Sequence, residues 1–219
     1  MIAKEDVLNG LDMMITDPKC ELEFENNFQL LVAVILSAQC TDKRVNMVTK
    51  ELFKTLKTPE DFVNVPTSIL EEKIHSCGFY HNKARSIKNA SRDILEKFGG
   101  EVPQTIEELV TLSGVGRKTA NVVMAVGFGK DALAVDTHVL RVSNRLGIVK
   151  TKDATKCELA LKNYFPKDKW SRTHHQMVLF GRYICKAIKP DCENCVFNLM
   201  CPSSHIGGSS TTKTTNTKK

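Results

Sequence analysis

Cys185, Cys192, Cys195 and Cys201 follow the spacing C-x6-C-x2-C-x5-C and fall within seventeen residues. Loops this short leave little chain entropy to lose when four thiolates close on one centre, so the group reads as a metal-binding set. The spacing is neither a ferredoxin run nor the paired CxxC of a zinc ribbon, and it admits a [4Fe–4S] cluster and a zinc ion alike. Cys20, Cys40, Cys77 and Cys157 are scattered and read as small core or surface thiols.

A second group is Leu112-Ser113-Gly114-Val115-Gly116-Arg117-Lys118-Thr119-Ala120. Two glycines around one apolar residue, between a helical segment ending near Leu112 and one running from about Arg117 to Val126, make a tight helix-hairpin-helix turn. Its backbone N–H groups and the following helix N-terminus can face a phosphate, which makes Gly114, Val115, Gly116 and Arg117 candidate contacts to a nucleic-acid backbone, held without reading its sequence. An ordinary αα turn has the same glycine pattern, and it is the flanking Leu112, Val115 and Arg117-Lys118 that point to DNA. Lys118 sits in the first turn of the second helix. An amine attacks only when neutral, and an unperturbed lysine with a pKa near 10.4 is almost wholly protonated at pH 7. A helix dipole supplies about 0.3–1 kcal/mol, so a nucleophilic Lys118 requires desolvation in a pocket. On spacing alone the plainer role, a phosphate-contacting lysine, is favoured.

In Ala134-Val135-Asp136-Thr137-His138-Val139 one acid stands between a short apolar strip and a new helical segment. Asp136 suits an N-cap. A carboxylate there also stays negative and can face the positive charge that develops on a sugar ring during glycosidic cleavage, and the two roles are compatible.

These residues need a scaffold, and apolar positions recur at helical spacing nearly throughout: Val7, Leu8, Leu11; Val48, Leu52, Phe53, Leu56; Ile87, Ala90, Ile94, Leu95; Leu159, Leu161, Tyr164, Phe165. Start signals stand at Thr41-Asp42, at Thr105-x-x-Glu108 as a capping box, and at Thr151; stop signals stand at Gly78, Gly99-Gly100, Gly127 and Gly147. The pattern predicts an all-α fold of roughly ten short helices without a sheet. Phe28 to Leu36 is apolar on every side and predicts a buried central helix. From Gly207 the composition is Gly, Ser, Thr, Asn and Lys, which predicts a disordered tail.

The chain carries 31 Lys and Arg against 25 Asp and Glu, a mild excess compatible with a polyanionic partner but not decisive. Acids stand at the N-terminus where a secretory signal needs an apolar core, and the apolar run Leu30 to Leu36 is too short to span a bilayer. The expectation is a cytoplasmic, nucleoid-associated protein without membrane contact, whose cysteines are thiols or metal ligands rather than disulfides.

Taken in order, Leu36-Ser37-Ala38-Gln39-Cys40-Thr41-Asp42, Gly78-Phe79-Tyr80-His81-Asn82-Lys83-Ala84, Leu112 to Val123, Ala134 to His138 and the cysteine spacing resemble the endonuclease III family of DNA glycosylases, over nearly the whole chain to about Cys201. The resemblance implies two helical domains with DNA in the cleft between them: a six-helix bundle at 20–130 carrying the hairpin, and an iron–sulfur domain of 1–19 and 131–205, followed by a tail at 206–219. It implies that the four cysteines hold a [4Fe–4S] cluster, and that Lys186 and Lys189, in the loop between the first two of them, face the DNA backbone, with Asp191 an unexpected acid in that loop. It implies that Lys118 attacks the deoxyribose C1′, that Asp136 stabilises the oxocarbenium-like charge, and that Gln39 and Phe79 fill the space left by an extruded base, Phe79 standing where a leucine is expected. His138 packs or hydrogen-bonds near the phosphates. The expected activity is that of a monomeric bifunctional DNA glycosylase and abasic-site lyase acting on oxidised pyrimidines in duplex DNA. The alternatives are a non-catalytic iron–sulfur DNA-binding protein, and an adenine or mismatch glycosylase relative, which lacks a lysine at this position.

Overall fold

The computed structural model describes residues 2–206, so the segment expected to form a tail from Gly207 lies outside the described residues. Among those residues there are helices and no strands: α1 (Lys4–Met14), α2 (Asn27–Leu36), α3 (Asp42–Thr55), α4 (Pro59–Asn64), α5 (Thr67–Ile74), α6 (Tyr80–Phe98), α7 (Ile106–Leu109), α8 (Arg117–Val122), α9 (Thr137–Arg145), α10 (Ala154–Tyr164) and α11 (Trp170–Tyr183). A 3-10 turn, His75–Cys77, leads into α6, and α8 runs on into a π-helical turn, Val123–Gly127. The chain divides into two compact units. One is Lys19–Ala134 with Lys167–Arg172, and the other is Met1–Pro18, Val135–Pro166 and Thr173–Lys219.

In the first unit α2 is the core element. Asn26 caps it by accepting from the Gln29 N–H at 2.9 Å, and every residue from Phe28 to Leu36 is buried. Helices α3 and α6, together with α8 and its π turn, pack around it, each presenting one apolar face. The caps follow local chemistry, with two differences from the sequence reading. Thr105 accepts from the Glu108 N–H at 3.2 Å, but the Glu108 carboxylate returns to the Thr105 hydroxyl at 2.7 Å instead of a backbone N–H, so only half a capping box forms there. A complete box stands at Thr58 and Asp61. Helix α10 is capped by Asp153 rather than Thr151, whose hydroxyl accepts from the Asp153 N–H at 3.1 Å. Gly127 lies close against α2, for a Cβ there would stand 2.7 Å from the Asn27 Oδ1 and displace that side chain.

In the second unit α1 joins elements more than a hundred residues away. Gly10 packs against the Phe197 ring, which a Cβ would meet at 2.3 Å. The Tyr164 hydroxyl donates to the Ile2 carbonyl at 2.6 Å, and the Gln176 amide donates to Asp12 Oδ1 at 2.7 Å. Helices α9, α10 and α11 carry the buried residues Val139 and Val142, Cys157 and Leu161, and Met177 and Phe180 of this unit's core.

Candidate nucleic-acid interface and cysteine centre

In the first unit the hairpin has two glycines that do different work. Gly114 adopts φ +77°, and a Cβ on it would stand 2.6 Å from the Ser86 Cβ, so both conformation and space demand glycine. Gly116, at φ −88° and ψ 175°, is the N-cap of α8 and has nothing within 4 Å of its would-be Cβ. Val115 between them is buried, and its N–H closes the turn on the Leu112 carbonyl at 3.1 Å. The N-cap residue, Gly116, has no side chain with which to cap α8, and backbone N–H groups at such a helix start can meet a phosphate. Ala120, Asn121 and Val122 face inward, while Gly114, Gly116, Arg117 and Lys118 are exposed. The pocket expected to desolvate the Lys118 amine is therefore not supplied by neighbouring side chains, because the residue lies on the outward side of the first turn.

Gln39 and Phe79 share an unusual backbone. Among the described residues three non-glycines have positive φ: Gln39 at 53°, Phe79 at 48° and Lys189 at 50°. Each such residue stores strain of order 1–3 kcal/mol, which persists only where its surroundings hold it. All three are positions for which the family resemblance implies DNA contact. Phe79 is 63% exposed, an aromatic ring held out to solvent. Gln39, Phe79 and Gly114 border one open cavity, with Lys83 on its wall.

In the second unit Asp136 is the N-cap of α9. Its Oδ1 accepts from the His138 and Val139 N–H groups at 2.9 and 2.8 Å, and Oδ2 carries no hydrogen bond among the described residues. Capping thus occupies one carboxylate oxygen and leaves the other for a second partner. The His138 Nδ1 lies 3.2 Å from Arg141 Nη2. A guanidinium only donates, so Nδ1 accepts and the ring's proton sits on Nε2. Gly181 lets α11 close on this helix start, for a Cβ there would lie 2.9 Å from the His138 Cβ.

Two arginines absent from the sequence reading join this helix to the cysteine segment. Arg141 Nε donates to the Cys185 carbonyl at 3.1 Å and Nη2 to the Gly181 carbonyl at 2.6 Å. Arg145 Nη1 donates to the Lys186 carbonyl at 2.6 Å and reaches the Cys185 sulfur at 3.4 Å, while its Nη2 donates to the Ala187 carbonyl at 3.0 Å. Their i, i+4 spacing behind a helix cap puts both on one face, which is visible in sequence; the partners, about forty positions away, are not.

Cys185, Cys192, Cys195 and Cys201 line one cavity whose other walls include Leu146, Phe180, Ile184 and Pro190. Burial raises the Cys195 and Cys201 thiols, and the neighbouring cysteines of the set add to this in each case. Among the described residues no three His, Cys, Asp or Glu side chains converge as they would on a single metal ion. Four soft thiol donors around an apolar cavity, with the Arg145 guanidinium at its edge to offset thiolate charge, fit an iron–sulfur centre. Lys186 and Lys189 are exposed in the loop between the first two cysteines. Asp191 is exposed, and its carboxylate accepts from the Asn194 side chain at 3.0 Å and backbone N–H at 3.4 Å, pinning the loop's end.

Residues 32–167 match the model of the HhH-GPD superfamily of base excision DNA repair proteins. The chain is 52% identical over 198 residues to the endonuclease III of Bacillus subtilis, with 90% of each chain covered, and 45% identical over 200 residues to that of Synechocystis, with 91% of each covered. Among solved structures, a trapped covalent intermediate of an endonuclease III with DNA, in an estranged-adenine complex, superposes with a TM-score of 0.89 at 48% identity, covering 93% of this chain and 97% of that one. A hairpin with an uncapped helix start, a half-used carboxylate and a four-cysteine centre thus occur together in a chain that belongs to the endonuclease III family of HhH-GPD base excision repair proteins.

Proposed function

We propose that this base excision repair enzyme, a DNA glycosylase with abasic-site lyase activity, removes oxidised pyrimidines from duplex DNA with Lys118 as nucleophile. The Lys118 Nζ attacks C1′ of the extruded nucleotide, the C1′–base bond breaks and the base leaves. The sugar ring opens to a Schiff base, loss of a proton from C2′ drives β-elimination across the C3′–O bond, and water releases the lysine. The unengaged Oδ2 of Asp136 supports positive charge building at C1′ and then assists proton transfer. The amine attacks only as the free base, so the bound duplex itself has to exclude solvent around the exposed Lys118.

Extruding a base costs a few kcal/mol, and Gln39 and Phe79 offset part of this by occupying the vacated stack. The open N-terminus of α8, with Gly116 presenting no side chain, takes a phosphate of the DNA backbone. Lys186, Lys189 and the His138 Nε2–H add phosphate contacts. Cys185, Cys192, Cys195 and Cys201 would hold a [4Fe–4S] cluster, which when bound supplies iron–thiolate bonds that tie the Lys186 loop to the fold. A broad visible absorption band from brown purified protein tests that assignment against colourless zinc.

The observation that carries the reading is the placement of Lys118, an exposed amine in the first turn of a helix whose N-cap residue, Gly116, makes no side-chain cap. The test is incubation with duplex containing thymine glycol or an abasic site, in the presence of borohydride. A covalent protein–DNA adduct that disappears in Lys118→Gln is expected. An adduct that persists in that variant, or intact wild-type protein that forms none, overturns the assignment.

A further inference from the structure

Lys83 lies in α6 and is only 6% exposed, rare for a lysine, yet the chemistry assigned to Lys118 and Asp136 makes no use of it. Its Nζ donates to the Leu36 carbonyl at 2.8 Å and to the Cys77 carbonyl at 2.9 Å. Leu36 is the last residue of α2, and Cys77 is the last residue of the 3-10 turn before α6. One ammonium therefore closes two chain ends at once, both of them carbonyl ends that favour a cation.

Each of those two carbonyls stands just ahead of a residue marked for DNA contact. Gln39 is three residues beyond Leu36, and Phe79 two residues beyond Cys77, each with its backbone in the left-handed region. The backbone N–H of Lys83 also donates to the Phe79 carbonyl at 3.0 Å, so the lysine grips this segment on both sides of the ring. Phe79 is too exposed for burial to hold its strained backbone in place. Lys83 itself lines the cavity between Gln39 and Phe79.

We infer that Lys83 is a positioning residue for DNA distortion: by fastening the Leu36 and Cys77 carbonyls to one buried ammonium, it fixes the separation of Gln39 and Phe79 so that both enter the duplex together. The inference rests on the reading of Gln39 and Phe79 as the residues that fill the vacated stack. It does not place Lys83 in contact with DNA.

Single-turnover excision by the intact chain is compared on two substrates: thymine glycol paired in a duplex, and the same lesion inside an unpaired bubble where no stack has to be opened. Lys83→Met is expected to slow excision from the paired duplex by about ten- to a hundredfold, the order of loss that a misplacement of about 1 Å brings. The bubble rate is expected to change little. In a Phe79→Ala background Lys83→Met should add almost nothing, because the two act as one unit. A loss of equal size on both substrates, tracking a lowered melting temperature, marks Lys83 as a mere fold stabiliser and overturns the inference. Should Lys83→Met fail to fold, Lys83→Gln, which removes the ammonium, is read the same way, and a paired-to-bubble ratio at the wild-type value in that variant overturns the inference as surely. If Phe79→Ala leaves the ratio untouched, the stack-filling reading has failed and takes this inference with it. If Phe79→Ala shifts the ratio and the Lys83 variants do not, only the role of Lys83 is lost.

Discussion

Arg145 and Cys201 are joined through the arginine's main chain: the Cys201 thiol donates to the Arg145 carbonyl at 3.2 Å, while the guanidinium of the same residue reaches the Cys185 sulfur at 3.4 Å. The last residue of α9 thus touches the first and the last cysteine of the set, and the helix that Asp136 caps at one end is anchored to the cysteine loop at the other.

Replacing Arg145 by leucine therefore removes donors to the Lys186 and Ala187 carbonyls together with the charge beside Cys185. Hydrogen bonds from a charged group are worth about 1.5–3 kcal/mol net, so the melting temperature should fall by roughly 4–8 °C. Visible absorbance should also bleach faster in chelator. Arg145→Lys should recover little of either, since an ammonium on a flexible stem cannot span the same carbonyls at once. Lysine restoring both properties would mean that charge alone matters at this position.

Asp136 can be dissected because its two oxygens are differently occupied. Asparagine caps a helix about as well as aspartate, so Asp136→Asn should keep the bonds to the His138 and Val139 N–H groups and cost well under 1 kcal/mol of stability. The negative charge is nevertheless gone, and single-turnover excision should fall by about 10²–10⁴-fold. Asp136→Ala should lose the activity and about 1 kcal/mol of cap besides. A fully active, stable Asp136→Asn would reduce this residue to a cap.

Which of these features can be read in the sequence depends on the range of the interaction. Periodicity marked α2 because nine consecutive buried positions leave no polar face, and the hairpin and Asp136 were readable because caps and tight turns are settled within four or five residues. The same locality misled at Thr151, where Asp153 two residues later makes the better cap. Lys83, Arg141 and Arg145 were opaque for the opposite reason. Each looks like an ordinary basic residue on an amphipathic helix until folding brings in a carbonyl from 40 to 47 positions away. Left-handed backbone at Gln39 and Phe79 has no composition signal either, since neither residue type favours it. Lys118 shows a further limit: its type and place were legible, its exposure was not.

The two hairpin glycines should separate stability from DNA binding. Gly114→Ala forces a positive φ on alanine and drives a Cβ to 2.6 Å from Ser86, so a loss of about 1–3 kcal/mol in folding stability is expected. Gly116→Ala meets open space at an ordinary φ and should leave the melting temperature within a degree or two. Its methyl would instead stand where a phosphate approaches α8, weakening affinity for any duplex regardless of sequence. Fluorescence anisotropy at fixed salt checks this, and a Gly116→Ala protein with unchanged affinity would move the phosphate contact elsewhere.

The thiol of Cys77 offers a test in pH. Burial pushes it up to about 11, the Cys40 thiol adds to this, and Lys83 and Arg44 oppose it. An unfolded cysteine titrates near 8.5, so at pH 8 its thiolate should be about two orders of magnitude rarer in the folded chain, and alkylation mapped by mass spectrometry should leave Cys77 unmodified. For stability the sign comes from proton counts. Below about 8.5 both states hold the proton and the contribution is whole; from there to about 11 the unfolded chain has released a proton the folded chain retains, so stability falls as pH rises. Lys83 works the other way: burial lowers its ammonium, the folded chain gives up that proton first, and stability rises with pH toward the ordinary lysine value. Thermal melts from pH 8 to 11 should therefore decline less steeply for Cys77→Ala and more steeply for Lys83→Met than for the wild type. Parallel slopes in all three proteins would show that neither group is desolvated where the fold places it.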